Sequence, residues 1–112
     1  MIRETKYDYN EELDILHIYT SDIERGIKGC LSYDNFNIDI GEDDKVIGIE
    51  IEGASSLLNM SEASLSSLDD VKIIVKKAGN ILFIGFSVIK KEQKSTIQFS
   101  VPLQKPAVMT AN

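Results

Sequence analysis

The chain has 112 residues, 43% hydrophobic and 27% charged, the balance of one globular domain and not of a disordered or fibrous chain. No apolar stretch approaches the roughly 18 residues of a membrane span, and Met1–Lys6 has no apolar run like that of a secretory leader, so a cytoplasmic location away from membranes is expected. The formal charge of −6 hides a split: residues 1–70 carry 5 basic and 17 acidic side chains, net −12, and residues 71–112 carry 7 basic and 1 acidic, net +6.

In chain order, Thr5–Tyr9 is expected as a short strand and Asn10-Glu11-Glu12 as its turn. Leu13–Thr20, rich in β-branched and aromatic residues, is the second strand. Ser21–Gly26 is a charged loop, Ile27–Ser32 a weaker strand, and Tyr33-Asp34-Asn35 a turn. Phe36–Ile40 alternates, with Phe36, Ile38 and Ile40 on one face and Asn37 and Asp39 on the other. After the loop Gly41–Lys45, Val46–Glu52 returns with Ile47, Ile49 and Ile51 on one face and Gly48, Glu50 and Glu52 on the other.

The period then changes. Over Ala54–Asp69 the positions Ala54, Leu57, Leu58, Leu65 and Leu68 fall on one helical stripe, which predicts one helix or two short ones meeting near Asn59–Ser61, with Ser61 as a candidate N-cap. Val71–Lys77, a turn at Ala78-Gly79-Asn80, Ile81–Lys90, a turn at Lys91–Lys94 and Ser95–Val101 form a second β unit. Pro102 ends it, and 102–112 is expected as a flexible tail. Asp14-Ile-Leu-His-Ile and Asn80-Ile-Leu-Phe-Ile hint at an internal repeat.

The fold class implied is α+β, mainly antiparallel β meanders with one or two short helices between them. A single domain 1–101 comprises an N-terminal β unit (5–53), a helical connection (54–69) and a C-terminal meander (71–101). Its expected core is Leu16, Ile18, Phe36, Ile38, Ile47, Ile49, Ile51, Leu57, Ile73, Leu82, Ile84 and Phe99. Leu13–Tyr19 and Ile81–Ile89 are apolar on both faces, so they need cover on both sides. Either the two β units pack as a sandwich or a second copy supplies the cover, and a homodimer or higher oligomer is expected.

Tyr7-Asp8, Asp14, Leu16, Ile18, Asp39, the block Gly48-Ile49-Glu50-Ile51 and Ala54-Ser55 together resemble the domain-of-unknown-function family numbered 2283, over about residues 5–58. The resemblance implies a small β-rich domain of unassigned activity. Members that sit beside small toxin-like genes imply an antitoxin or inhibitor role. The chain departs from the family at Asp44-Lys45, where the hairpin usually has a glycine, and residues 60–112 have no counterpart in the short members.

His17, the only histidine, sits in mid-strand, where packing or a surface position is the expected role; Cys30, the only cysteine, excludes an internal disulfide and a cysteine-only metal site. Asp34, Asp39, Glu42, Asp43 and Asp44 form an acidic cluster without calcium-loop spacing, read as a solvated hairpin tip. Asp14 is expected to bond free amides of the Asn10–Leu13 turn, and Gly48 to let a neighbouring ring such as Tyr7 or Tyr19 lie across the backbone beside Glu50. The glycines reach no phosphate-loop spacing. No catalytic residue, cofactor or metal ligand is expected.

The leading function is a non-catalytic protein-interaction or regulatory module for a basic protein partner, with Asp14, Gly48, Glu50, Glu42, Asp43 and Asp44 as its candidate structural or partner-binding residues. One alternative is an enzyme or ligand-binding protein using Asp14, His17 and Glu50. The other is single-stranded nucleic-acid binding through Lys72, Lys76, Lys77, Lys90, Lys91 and Lys94 with nearby phenylalanines, disfavoured because the phenylalanines read as core and the lysines as edge protection. The charge split predicts that the lysine-rich meander lies against Glu50, Glu52 or Asp69.

Overall fold

A computed structural model describes residues 5–103, the side chain of Asp43 excepted. Eight strands and two short helices follow in the order β1 (Thr5–Asn10), β2 (Ile15–Thr20), β3 (Gly29–Tyr33), β4 (Phe36–Ile40), β5 (Val46–Glu52), α1 (Ala54–Leu58), α2 (Glu62–Leu65), β6 (Asp70–Ala78), β7 (Ile81–Lys90) and β8 (Gln93–Pro102). The protein is thus mostly antiparallel β, and more β-rich than the α+β label suggests.

The first sheet has the order β1-β2-β5-β4-β3, the second β6-β7-β8. The second is the meander its sequence predicts. The first is not: β5 lies between β2 and β4. The reason is the content of the strands. β5 carries Val46, Ile47, Ile49 and Ile51, all buried, and takes a position with neighbours on both sides; β3, with Gly29, Cys30 and Ser32 exposed, takes an edge. The different topologies of the two units mean that the short repeat in sequence does not extend to strand order.

The sheets face each other across one core. Leu16, Ile18, Ile38, Ile49 and Ile51 of the first sheet and Leu82, Ile84, Phe86 and Val88 of the second are buried in the same cluster. Phe36 is the aromatic hinge between them, stacked on Phe99 at 4.5 Å and edge-on to Phe86 at 5.8 Å. Of the two kinds of cover foreseen for β2 and β7, the sandwich supplies the inner one. Phe83 and Ile81, on the other face of β7, stay exposed, as does Leu13, which lies in the turn before β2.

Of the expected core, Leu57 is exposed, Ile73 and Phe99 are only partly buried against the cluster, and Ile47 is buried in a different place. Ile47 is buried but lies outside the main cluster. The pairing of β4 with β5 shifts register after Asp39↔Gly48, so that Ile40 pairs with Val46, and Val46 takes the core position. Ile47 instead packs on Gly41, where a Cβ would come within 3.0 Å of it. Leu57 is 40% exposed, because α1 ends after five residues and Asn59 turns into the left-handed region at φ 54°. Its neighbours Ala54 and Leu58 are buried instead, with Met60 and Leu65.

The helical connection is two short helices, and Ser61 caps the second by accepting from the Ser64 amide at 3.1 Å. The carbonyl end of α1 is tied to β8: Ser95 Oγ donates to Leu58 O at 2.6 Å and Gln93 Nε2 to Asn59 O at 2.8 Å. Leu58→Ala is therefore expected to lower stability by about 2–5 kcal/mol and Leu57→Ala by less than about 0.5 kcal/mol. Urea titration of the two variants checks this; equal losses would mean that α1 continues as the regular stripe demands.

Pro102, where the flexible tail is expected to begin, still belongs to β8, and the Leu103 amide donates to Asn80 O at 2.6 Å; the rest of that expectation, 104–112, lies outside the described residues. No helix among the described residues is long and apolar enough to cross a membrane.

Candidate functional site

Alternation in the first sheet sends Ile49 and Ile51 inward and Gly48, Glu50 and Glu52 outward. Register then fixes what meets on the outer face. His17 of β2 sits opposite Glu50, Asp39 of β4 opposite Gly48, and Cys30 of β3 opposite Asp39. Gly48 leaves a gap in the layer of side chains, and His17 and Asp39 close over it: Nε2 and Oδ2 are 3.0 Å apart, and a Cβ on Gly48 would come within 2.7 Å of that Oδ2 and 3.0 Å of that Nε2. The atoms nearest to that Cβ position are from His17 and Asp39, and Tyr19 is paired opposite Gly48 on β2. The Tyr19 ring lies beside His17, its centroid 4.9 Å away.

Cys30 extends the row, with Sγ 3.8 Å from Asp39 Oδ1. Its thiol pKa is pushed up by partial burial, by the Asp39 charge and hydrogen bond, and by Glu50. The order is thiol, carboxylate, imidazole. A thiol nucleophile needs the imidazole next to it as base and the carboxylate behind. With Asp39 in the middle, the thiol is held protonated. Among the described residues no group of three or more His, Cys, Asp or Glu side chains is arranged to hold a metal ion.

Asp14 is elsewhere. It stands at φ 53° before β2, and its carboxylate accepts from Tyr9 Oη at 2.6 Å, from the Ser55 amide at 3.0 Å and from Ser55 Oγ at 2.7 Å. It thus caps α1 from 41 residues away, while Asn10 Oδ1 accepts from the Leu13 amide in the turn that Asp14 was expected to serve. Burial works against the Asp14 charge, but the hydrogen bonds from Tyr9 and Ser55 outweigh it and hold the pKa below the usual aspartate value. The trio Asp14, His17 and Glu50 is therefore not assembled.

The acidic cluster also divides. Asp34 is in the β3–β4 turn, Asp39 is on the outer face, and Glu42 and Asp44 are exposed in the 3-10 turn Glu42–Asp44 between β4 and β5, to which Asp43 also belongs.

The lysine-rich sheet does not reach Glu50 or Glu52. Glu52 accepts from Asn37 Nδ2 at 2.9 Å, and among the described residues neither carboxylate forms an ion pair. Asp69 is met by the Lys91 backbone amide at 2.6 Å, and Lys90 Nζ donates to Ser67 O at 2.6 Å. The sequence's charge split thus becomes a split between opposite outer faces: Asp8, Asp39, Glu50 and Glu52 with Lys6 on the first sheet, and Lys72, Lys76 and Lys94 with Asp70 on the second.

Residues 6–55, from β1 into α1, match the family described as "Protein of unknown function (DUF2283)". They hold the Asp14–Ser55 cap, His17, Asp39 and Gly48. A Methanosarcina mazei protein described as "Putative hypoxanthine phosphoribosyltransferase" is 32% identical over 91 residues, 80% of this chain and 72% of that protein.

The DUF2283 match covers a little under half of the chain, its N-terminal segment 6–55. The likeness to the Methanosarcina protein is longer than the 6–55 segment, so it takes in part of the chain beyond it. No solved structure matches the chain. Within the DUF2283 segment, Gly48→Ala is expected to break the His17–Asp39 contact and lower stability by about 1–3 kcal/mol through overpacking. In an Asp39→Ala background the same change should cost at least about 0.5 kcal/mol less, because the crowded oxygen is gone. A double-mutant cycle in urea checks it; additivity would mean that Asp39 is not what Gly48 makes room for.

Proposed function

We propose that the protein is a non-catalytic binding module that docks a basic protein partner on the outer face of its first sheet. The observation behind this reading is the chemistry of that face. Asp8 on β1 and Glu50 on β5 flank His17 in register on β2, Glu52 follows Glu50 on the same face, and Lys6 is the basic residue among them. The face is an open sheet surface, and three clefts among the described residues are lined by other residues. An open acidic surface suits a protein partner, because a small substrate needs enclosing walls. An antitoxin-like or inhibitory role is one form of this function.

The activity named for the Methanosarcina protein fits this chain less well. A phosphoribosyl donor needs a cradle for its phosphates, usually backbone amides of a glycine-rich loop or a helix N-terminus. Here α1 and α2 span five and four residues, and the Ser55 amide of α1 is already taken by Asp14.

The experiment is affinity capture from source cells followed by binding measurements with the purified partner. Glu50→Lys with Glu52→Lys should weaken binding at least about tenfold, a loss of about 1.4 kcal/mol, and salt should weaken the unaltered complex by screening. Affinity indifferent to both, or measurable phosphoribosyl transfer to hypoxanthine, would overturn the reading.

A further inference from the structure

The second sheet turns to solvent a face that the proposed docking of a basic partner leaves unused. Between the buried Leu82, Ile84 and Phe86, strand β7 sends Phe83 and Gly85 outward. Phe83 is 46% exposed, and Ile74, opposite Gly85 on β6, is 70% exposed. Gly85 presents bare backbone and forms part of the floor of a cleft of about 520 Å³, lined also by Ile74, Phe83, Lys72, Lys76 and Lys94. Asp70 is the acidic residue on this face, 3.8 Å from Lys72 Nζ.

Lysines on the edge strands β6 and β8 also keep those edges from pairing with other sheets, and that role accounts for where they are. It does not account for Phe83. That ring is on the central strand, faces away from the core and is left 46% exposed.

We infer that this face binds single-stranded nucleic acid, with a base stacked on Phe83 and the phosphates held by Lys72, Lys76 and Lys94. An aromatic platform bordered by cations is the combination such strands use. Lys72 and Lys76, four residues apart on one strand, are separated by about 13 Å, and Phe83 is directly opposite Lys76. Thr96 and Gln98 on the same face supply donors and acceptors for base edges. A duplex would satisfy the lysines but offer Phe83 no unstacked base. A second copy could bring its acidic sheet face to these lysines in a head-to-tail contact, which builds a ring or an open chain.

The test is fluorescence anisotropy with a short labelled single strand, DNA and RNA in turn, at low salt. Three phosphate contacts predict a slope of about −2 in log affinity against log salt. Lys72→Glu with Lys76→Glu should weaken binding about tenfold or more, and Phe83→Ala about fivefold or more, while Phe83→Trp keeps it. These positions are exposed, and an unchanged circular dichroism spectrum will establish that each variant folds. Glu50→Lys should not weaken binding, which separates this inference from the proposed function. Four results would overturn it: no binding; equal binding of duplex and single strand; indifference to the lysine or Phe83 changes; or displacement by polyglutamate as effective as by unlabelled strand, which would assign the face to acidic proteins. Self-association that disappears with Lys72→Glu would assign it to a second copy and overturn it as well.

Discussion

Replacing Phe86 with alanine is expected to lower the free energy of unfolding by about 3–5 kcal/mol. The side chain is 2% exposed on the central strand of the second sheet, and its ring meets Phe36 edge-on at 5.8 Å. Phe36 in turn stacks on Phe99, so removing Phe86 opens a void at the place where the aromatic residues of the two sheets interlock. No disulfide offsets the loss, since Cys30 is the only cysteine. Domains of this size have about 5–15 kcal/mol in total, so roughly a fifth or more of the stability would go. Phe83→Ala, three residues earlier on the same strand but facing water, should change it by less than about 1 kcal/mol. Urea unfolding followed by circular dichroism compares the two. Equal losses would mean that β7 does not present these faces as described.

The contrast between Phe83 and Phe86 was only half legible in the sequence. Alternation assigns them to opposite faces but does not say which face the second sheet covers. Phe83 reads as core because it lies in an apolar run, and only the sandwich shows that its side is the uncovered one. The same limit applies to Ile47 and Leu57. Strict alternation carries Ile47 inward with Ile49, but a register shift is a non-local event that alternation cannot register. The helical stripe carries Leu57 inward with Leu58, but a stripe is meaningful only along a continuous helix, and this one stops at Asn59.

The site was legible one residue at a time and not as a set. Gly48 signalled a close approach from its place in an otherwise apolar strand. What approaches it comes from His17 and Asp39, 22 residues apart, and only the placement of β5 between β2 and β4 brings them together. If Ile49 and Ile51 face a core, then Glu50 and Glu52 face away from it, and the same holds for Lys72 and Lys76 beside Val71 and Ile73. Charged residues on two packed sheets cannot meet across that core. The mutual attraction expected of the two halves gives way to two outward faces of opposite sign.

Asp14→Ala is expected to cost about 2–4 kcal/mol, with Asp14→Asn losing less. Alanine removes the acceptor for Tyr9 Oη, the Ser55 amide and Ser55 Oγ together, and it places a residue with no local polar compensation at φ 53°. Asparagine tolerates that backbone and keeps one acceptor oxygen. The dependence on pH has a defined sign. The folded pKa of Asp14 is below its ordinary value of 3.8, so its contribution is fully present above the unfolded pKa and is lost as pH falls through the folded one. The stability gap between the native chain and Asp14→Asn should therefore be constant from neutral pH down to about 4 and close below that. Tyr9 gives the opposite limb. Burial, the hydrogen bond to Asp14 and the Asp14 charge push its pKa up, so its contribution is present below about pH 10 and is lost as pH rises toward the folded value. Tyr9→Phe should remove that alkaline loss. Urea midpoints measured across pH for the three chains test both limbs; a native-to-Asp14→Asn gap that stays level into strong acid would show that the carboxylate charge does not hold α1 to the turn before β2.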